Sequence, residues 1–164
     1  MNRCMAGDVL KGKFPAAVLN IEEAKGETTI TVASDQLREV MFFLKNSENL
    51  SYDLLVDLAA VDYENRAPRF TVAYLLHSMK CNNRLRIKAE VEEGAPLDTV
   101  SDIWRAADWL EREAYDLLGI EFRNHPDLRR ILLEEDFVGH PLRKDFPLAG
   151  PDFEKHFQVS LGED

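Results

Sequence analysis

Alternation of apolar and polar residues dominates the middle of the chain. Leu85, Ile87, Ala89 and Val91 alternate with Arg84, Arg86, Lys88, Glu90 and Glu92, the pattern of a strand with one buried and one wet face. Phe70, Val72, Tyr74 and Leu76 alternate in the same way, after an Asn65-Arg66-Ala67-Pro68 turn. Tyr52 to Asp62 fits two templates. Tyr52, Leu54, Val56, Leu58 and Ala60 have strand spacing, whereas Leu54, Leu55, Leu58 and Val61 have helical spacing. The strand is preferred because the two strands that follow need partners, and the three together predict an antiparallel meander. Upstream, the β-branched run Thr28 to Val32 predicts a strand, paired across a polar Glu22–Glu27 turn with a shorter one at Val18 to Ile21. Ser34-Asp35 offers an N-cap for a helix carrying Leu37, Val40, Met41 and Leu44 and ending near Asn46.

Gly94-Ala95-Pro96 interrupts the pattern, and helical spacing takes over. Ile103, Ala107, Leu110, Ala114 and Leu117 make one stripe of a helix from about Ser101 to Leu118, with Thr99 or Ser101 as its cap. Gly119 stands where a left-handed helix terminator belongs. From Ile120 to Asp164 neither period persists, and His125-Pro126, His140-Pro141, Phe146-Pro147 and Gly150-Pro151 punctuate the segment. Its composition is nevertheless apolar, with Leu128, Ile131, Leu132, Leu133, Phe137, Val138, Leu142, Phe146, Leu148, Phe153 and Phe157. The expected fold is therefore α+β: a small mixed or mainly antiparallel sheet with helices packed on it (residues 1–119), then an extended irregular C-terminal arm (residues 120–164). An apolar arm with no core of its own buries itself on the domain and on a protein partner.

Composition narrows the function. The chain has 164 residues, with 20 basic against 30 acidic side chains, a formal charge of −10. Such a balance argues against non-specific nucleic-acid binding. Cys4 and Cys81 are far apart, and no CxxC occurs, so cysteine-ligated clusters and zinc ribbons have no support. No apolar run is long enough to span a bilayer, and residues 1–15 do not read as a signal peptide. Glycine-rich phosphate loops and a GxSxG nucleophile motif are also missing from the sequence.

Three groups of polar residues merit weighing. Glu111, Arg112, Glu113 and Asp116 could perform acid–base work, but a charged helix face with local ion pairs is the simpler reading. His125 and His140, with Asp127 and Asp145 nearby, lack metal-ligand spacing and are expected to cap turns or bond backbone carbonyls. Arg129-Arg130 and Arg143-Lys144 are basic pairs suited to carboxylates or carbonyls, framed by apolar anchors. Residue by residue, these features favour a structural or interaction subunit over an enzyme.

The C-terminal motifs carry a resemblance. Glu111-Arg112-Glu113-Ala114-Tyr115-Asp116-Leu117-Leu118-Gly119-Ile120 leads into His125-Pro126-Asp127-Leu128-Arg129-Arg130-Ile131-Leu132. Gly139-His140-Pro141-Leu142-Arg143-Lys144-Asp145-Phe146-Pro147-Leu148 follows. With Asp57 to Tyr63, Arg69-Phe70 and Trp109, these resemble the C-type subunit of NADH:quinone oxidoreductase, the 30-kilodalton subunit family of respiratory complex I. The resemblance implies a chain without a redox centre of its own, FMN, iron–sulfur clusters and quinone belonging to other subunits. It also implies packing on the D-type subunit, which helps form the quinone site, and near the B-type subunit, which bears the terminal cluster. The location implied is peripheral, on the cytoplasmic side of the inner membrane. Arg129, Arg130, Arg143, Lys144 and Asp145 would then make charge pairs at subunit interfaces. Related subunits in ferredoxin- or F420H2-linked quinone reductases and in membrane-bound hydrogenases share such motifs, so the electron donor is open. A stand-alone metal-dependent hydrolase using His125 and His140, and a free-standing adaptor, are the readings of other classes.

Overall fold

The computed structural model describes residues 6–147. Cys4, Leu148, Phe153, His156, Phe157 and the Gly150-Pro151 turn lie outside them. The main sheet has five strands: β1 (Val18–Ala24), β2 (Glu27–Val32), β3 (Leu54–Asp62), β4 (Phe70–Ser78) and β5 (Asn83–Val91). Their order is β1-β2-β5-β4-β3. β3, β4 and β5 form the expected antiparallel meander, and β1 is antiparallel to β2. β2 joins β5 in parallel, so the sheet is mixed. The parallel join follows from chain routing, since a crossover through helix α2 (Leu37–Asn46) separates β2 from the meander.

One face of the sheet carries the core. Ile30, Val32, Leu55, Leu58, Val72, Tyr74, Leu76, Ile87, Ala89 and Val91 are buried there with Leu37, Val40, Met41 and Leu44 of α2. Helix α3 (Ala106–Leu118) packs on β3. The opposite face shows the alternation in reverse, with Arg86, Lys88 and Glu90 half-exposed on β5. Tyr52 to Asp62 is a strand from Leu54 onward, so the meander needed that partner.

Several local expectations need correction. A helix α1 (Ala6–Lys13) precedes β1, unannounced by any apolar stripe. Its hold is tertiary: Leu10 is fully buried, and Gly7 lets Ile21 approach so closely that an added Cβ would meet Ile21 Cδ1 at 3.3 Å. β1 runs on to Ala24, and the turn narrows to Lys25-Gly26, both with positive φ. Ser34 and Asp35 form a 3-10 turn and give α2 no side-chain cap. α3 begins at Ala106 rather than Ser101, and Arg105, its N-cap residue, makes no side-chain capping bond. Thr99 and Ser101 sit in a turn before it, held by Glu111. The irregular segment also contributes a two-residue strand, β7 (Phe122–Arg123), parallel to β6 (Leu97–Asp98). Ile120 and Phe122 are core residues.

The two faces differ in what truncation removes. Leu76→Ala, in the helix-covered layer, should destabilise the chain by about 2–5 kcal/mol in urea unfolding. Val61→Ala, on a partly exposed position of β3, should shift stability by roughly 0.5 kcal/mol or less. Equal losses would contradict the one-sided core.

Candidate functional site: an arm clamped to helix α3

The last four carbonyls of a helix have no intrahelical donor and need one from elsewhere. In α3 these belong to Tyr115, Asp116, Leu117 and Leu118. Gly119 N–H donates to Tyr115 C=O at 2.8 Å, and Leu142 N–H to Leu117 C=O at 3.0 Å. His140 Nδ1 lies 2.8 Å from Asp116 C=O and donates to it, and Arg143 Nε donates to Leu118 C=O at 2.6 Å. Three of the four partners thus come from the arm. Cations at a helix C-terminus also match the sign of its dipole.

Asp116 is the second anchor. Its Oδ2 accepts three consecutive backbone N–H groups, Ile131 at 3.0 Å, Leu132 at 2.8 Å and Leu133 at 2.9 Å. Its Oδ1 takes Arg130 at 2.6 Å. Burial pushes the carboxyl's pKa up, but the three N–H groups and Arg130 outweigh that and hold it at about 2. Arg130 also donates to the carbonyls of Phe137 at 2.9 Å and Gly139 at 3.1 Å, so one guanidinium folds the 130–139 loop. Arg112 donates to the carbonyls of Arg129 and Arg130.

A third cluster ties the arm to the sheet. Arg69 makes a bidentate pair with Asp62, both contacts at 2.8 Å, and also bonds Asp145 and Glu93. Asp62 Oδ2 accepts Lys144 N–H at 2.8 Å, and Arg143 reaches Glu93 at 2.9 Å. The Arg69 hydrogen bonds hold Asp62 and Asp145 below the usual carboxylate range, and the carboxylates in turn raise Arg69.

Two glycines are required by contact as well as by backbone. Gly119 has φ +72°, and an added Cβ would lie 2.6 Å from both Arg143 and His140. Gly139 has φ +96°, and its Cβ would lie 2.8 Å from Phe146. Phe146 stacks on Phe137 with centroids 6.0 Å apart.

Near the other end of α3, Glu111 is fully buried. It accepts Thr99 Oγ–H, and Val100 N–H at 2.8 Å. Burial pushes its pKa up to about 7; the two hydrogen bonds oppose this, and Asp108 and Asp102 add to it. His125 Nε2 is 3.9 Å from Glu111 and bonds Asp108 C=O at 3.1 Å. His125 Nδ1 accepts Asp127 N–H at 3.1 Å, which places the proton on Nε2. The Tyr74 hydroxyl, whose pKa burial and the Glu111 charge both raise, is buried with no hydrogen-bond partner among the described residues.

The sequence-predicted residues fall into place unevenly. Glu111, Arg112 and Asp116 are buried, not part of a solvated charged face; only Glu113 is exposed. Arg112 and Asp116 each bond the arm, although they stand one turn apart. His125 and His140 both bond backbone carbonyls, as expected. Arg130, Arg143 and Asp145 pair within the chain. Arg129 makes an exposed pair with Asp127. Pro126 and Pro147 are exposed and Pro141 is half-buried. Among the described residues, no group of three or more His, Cys, Asp or Glu is placed to hold a metal. Sequence reasoning missed Asp62, Arg69 and Glu93 as clamp residues, and Thr99 as a partner of Glu111. Asp62 did carry a signal, since it continues the inward phase of Leu58 and Ala60 with a charge.

Fold and site together define a small α+β domain that holds an extended arm in fixed shape. Residues 30–152 match the family described as "Respiratory-chain NADH dehydrogenase, 30 Kd subunit". The C-type subunit of the NADH-quinone oxidoreductase of Geobacter sulfurreducens is 52% identical over 149 residues, covering 90% of this chain and 91% of that one. The solved "Nqo5 of the trypsin-resistant fragment (1-134)" superposes with a TM-score of 0.65 at 30% identity, over 76% of this chain and 99% of that chain. A chain of the archaeal membrane-bound sulfane sulfur reductase shares the fold, with a TM-score of 0.77 at 22% identity over 96% of this chain and 94% of its own. The chain belongs to the respiratory-chain NADH dehydrogenase 30 Kd subunit family.

Asp116→Asn should cost about 3–5 kcal/mol, because it leaves Arg130 without its buried counter-charge. Hydrogen exchange should speed up across residues 130–140 while β4 and β5 stay protected; uniform loosening would refute the clamp. Glu111 titrates the other way. Its folded pKa lies above the ordinary 4.5, so the folded state holds the extra proton and stability falls as pH rises from about 4.5 to 7. The decline attributable to it is up to about 3 kcal/mol. Glu111→Gln should flatten the profile between those pH values in urea titrations, and an unchanged slope would exclude Glu111 as the source.

Proposed function

We propose that this chain is a subunit of the hydrophilic arm of a proton-translocating NADH:quinone oxidoreductase, carrying no redox centre itself. It positions the D-type subunit of the quinone site and the cluster-bearing B-type subunit. FMN, iron–sulfur clusters and quinone reside in those and other partner subunits. The chain sits peripherally on the cytoplasmic side of the membrane, held there through the complex. No helix among the described residues is long and apolar enough to cross a membrane, which fits a peripheral place.

One observation carries the positioning role. Arg130, His140, Leu142, Arg143 and Asp145 of the arm all bond within the chain, yet Leu132, Val138 and Leu142 are exposed. An arm so held, with Leu132, Val138 and Leu142 facing outward, is a preformed docking surface. Electron transfer needs donor and acceptor at fixed geometry, and a rigid arm supplies that to the subunits owning the centres.

The test is affinity capture of the tagged chain from detergent-solubilised membranes. The D-type and B-type subunits should be recovered with the flavin- and NADH-binding subunits. Recovery of D- and B-like subunits without the latter would assign a different electron donor. Arg143→Ala removes both the Leu118 cap and the Glu93 pair, so complex abundance should fall before turnover per complex does. Normal abundance with lost quinone reduction would overturn the positioning role.

A further inference from the structure

β3 is an edge strand of the main sheet. Just beyond it, Tyr63 N–H donates to Arg69 C=O at 2.8 Å. At two-residue intervals upstream of that bond, Val61↔Thr71, Ala59↔Ala73 and Asp57↔Leu75 are the pairs that exchange hydrogen bonds with β4. Leu58, Ala60 and Asp62 consequently turn their N–H and C=O groups away from β4; Ala60 is half-buried there, and Leu58 and Asp62 keep only a small exposed area. Leu58 N–H is taken by the neighbouring Asp57 carboxylate at 2.9 Å. Nothing among the described residues takes the N–H of Ala60 or Asp62. The bulge between Leu55 and Asp57 and the Asp57 charge guard the start of the edge, but from Leu58 to Val61 it has no Lys, no Pro and no charge.

Alongside this edge lies a groove of about 230 Å³. Residues 57–60 of β3 form one wall, Leu110, Ala114 and Leu117 of α3 form another, and Leu142 of the arm joins them. Asp57 and Glu113 stand on its lining, and both are exposed.

From this edge and groove we infer that β3 accepts an extended segment of a partner subunit as a sixth strand. The inference rests on the proposed role in a multisubunit complex. Free donors and acceptors two residues apart fit an extended backbone and no other secondary structure. The occupant places small or apolar side chains in the groove and a Lys or Arg against Asp57 and Glu113. A second copy of this chain fits poorly, since it would bring a like pair of carboxylates to the same rim.

Residue-resolved hydrogen exchange tests this on the full chain, alone and within the complex captured through it. Ala60 and Asp62 amides should slow on the order of 100-fold or more upon assembly. Ala59 and Val61, already bonded to β4, should be slow in both states. Equal exchange of Ala60 and Asp62 in both states, with partner subunits present, overturns the edge docking and leaves the proposed function standing. Capture of the chain without partner subunits overturns both. Ala60→Pro removes only an outward N–H and is compatible with an edge. It should leave the free chain folded and reduce recovered partners by about tenfold. Undiminished recovery refutes the inference. Should that variant fail to fold, Glu113→Lys, on an exposed position, should reduce recovery by cancelling the rim's negative charge; unchanged recovery then counts against the inference equally.

Discussion

A helix must find donors for its last carbonyls, and in α3 that need shapes the whole C-terminal part of the chain. The helix cannot end in water alone, because it is packed against β3. It ends in donors brought back by a segment with almost no repeating structure. His140, Leu142 and Arg143 each close one carbonyl, and Gly119 supplies the turn that makes room for two of them. Irregular backbone is acceptable here because its polar groups are matched one by one to a regular partner. The arm's shape is therefore a property of the helix end as much as of its own sequence.

Charge placement follows the same logic. The chain carries ten more acidic than basic side chains, yet its most buried ionic groups are balanced locally. Asp116 is met by Arg130 and three N–H groups, and Asp62 by Arg69 and Lys144 N–H. Glu111 is the exception. Among the described residues it has hydrogen bonds but no basic side chain in ion-pair contact other than His125, and burial correspondingly raises its pKa. Of the motif carboxylates on α3, two hold local structure and one, Glu113, stays in solvent.

The fold was largely readable because two-residue alternation on β4 and β5 is a direct imprint of a sheet covered on one side. Helix α3 was readable from its stripe and from Gly119, but its start was not. Thr99 and Ser101 have the chemistry of caps, and only the tertiary position of Glu111 diverts them to a turn. Helix α1 was invisible because one buried leucine and a glycine contact hold it, leaving no stripe. The family motif of the site was legible as sequence, and so was the carbonyl-binding role of the two histidines. What the charges do was not. Asp62 faces Arg69 across the β3–β4 hairpin, but Asp145 is distant in sequence and only the return of the arm brings it to Arg69. Arg112 and Asp116 likewise find their partners in the arm, whereas Glu111 finds its own at Thr99 and Val100.

The clamp also sets an order of events during folding. Its acceptors on α3 do not exist until the helix has formed, and its carboxylate at Asp62 is not in place until the meander has closed. The arm is also the last of these parts to leave the ribosome. Docking of residues 130–145 thus presupposes both elements, and the clamp couples the end of α3 to the closed meander. A chain whose clamp is weakened therefore loses the long-range link between α3 and the sheet, not only a local contact.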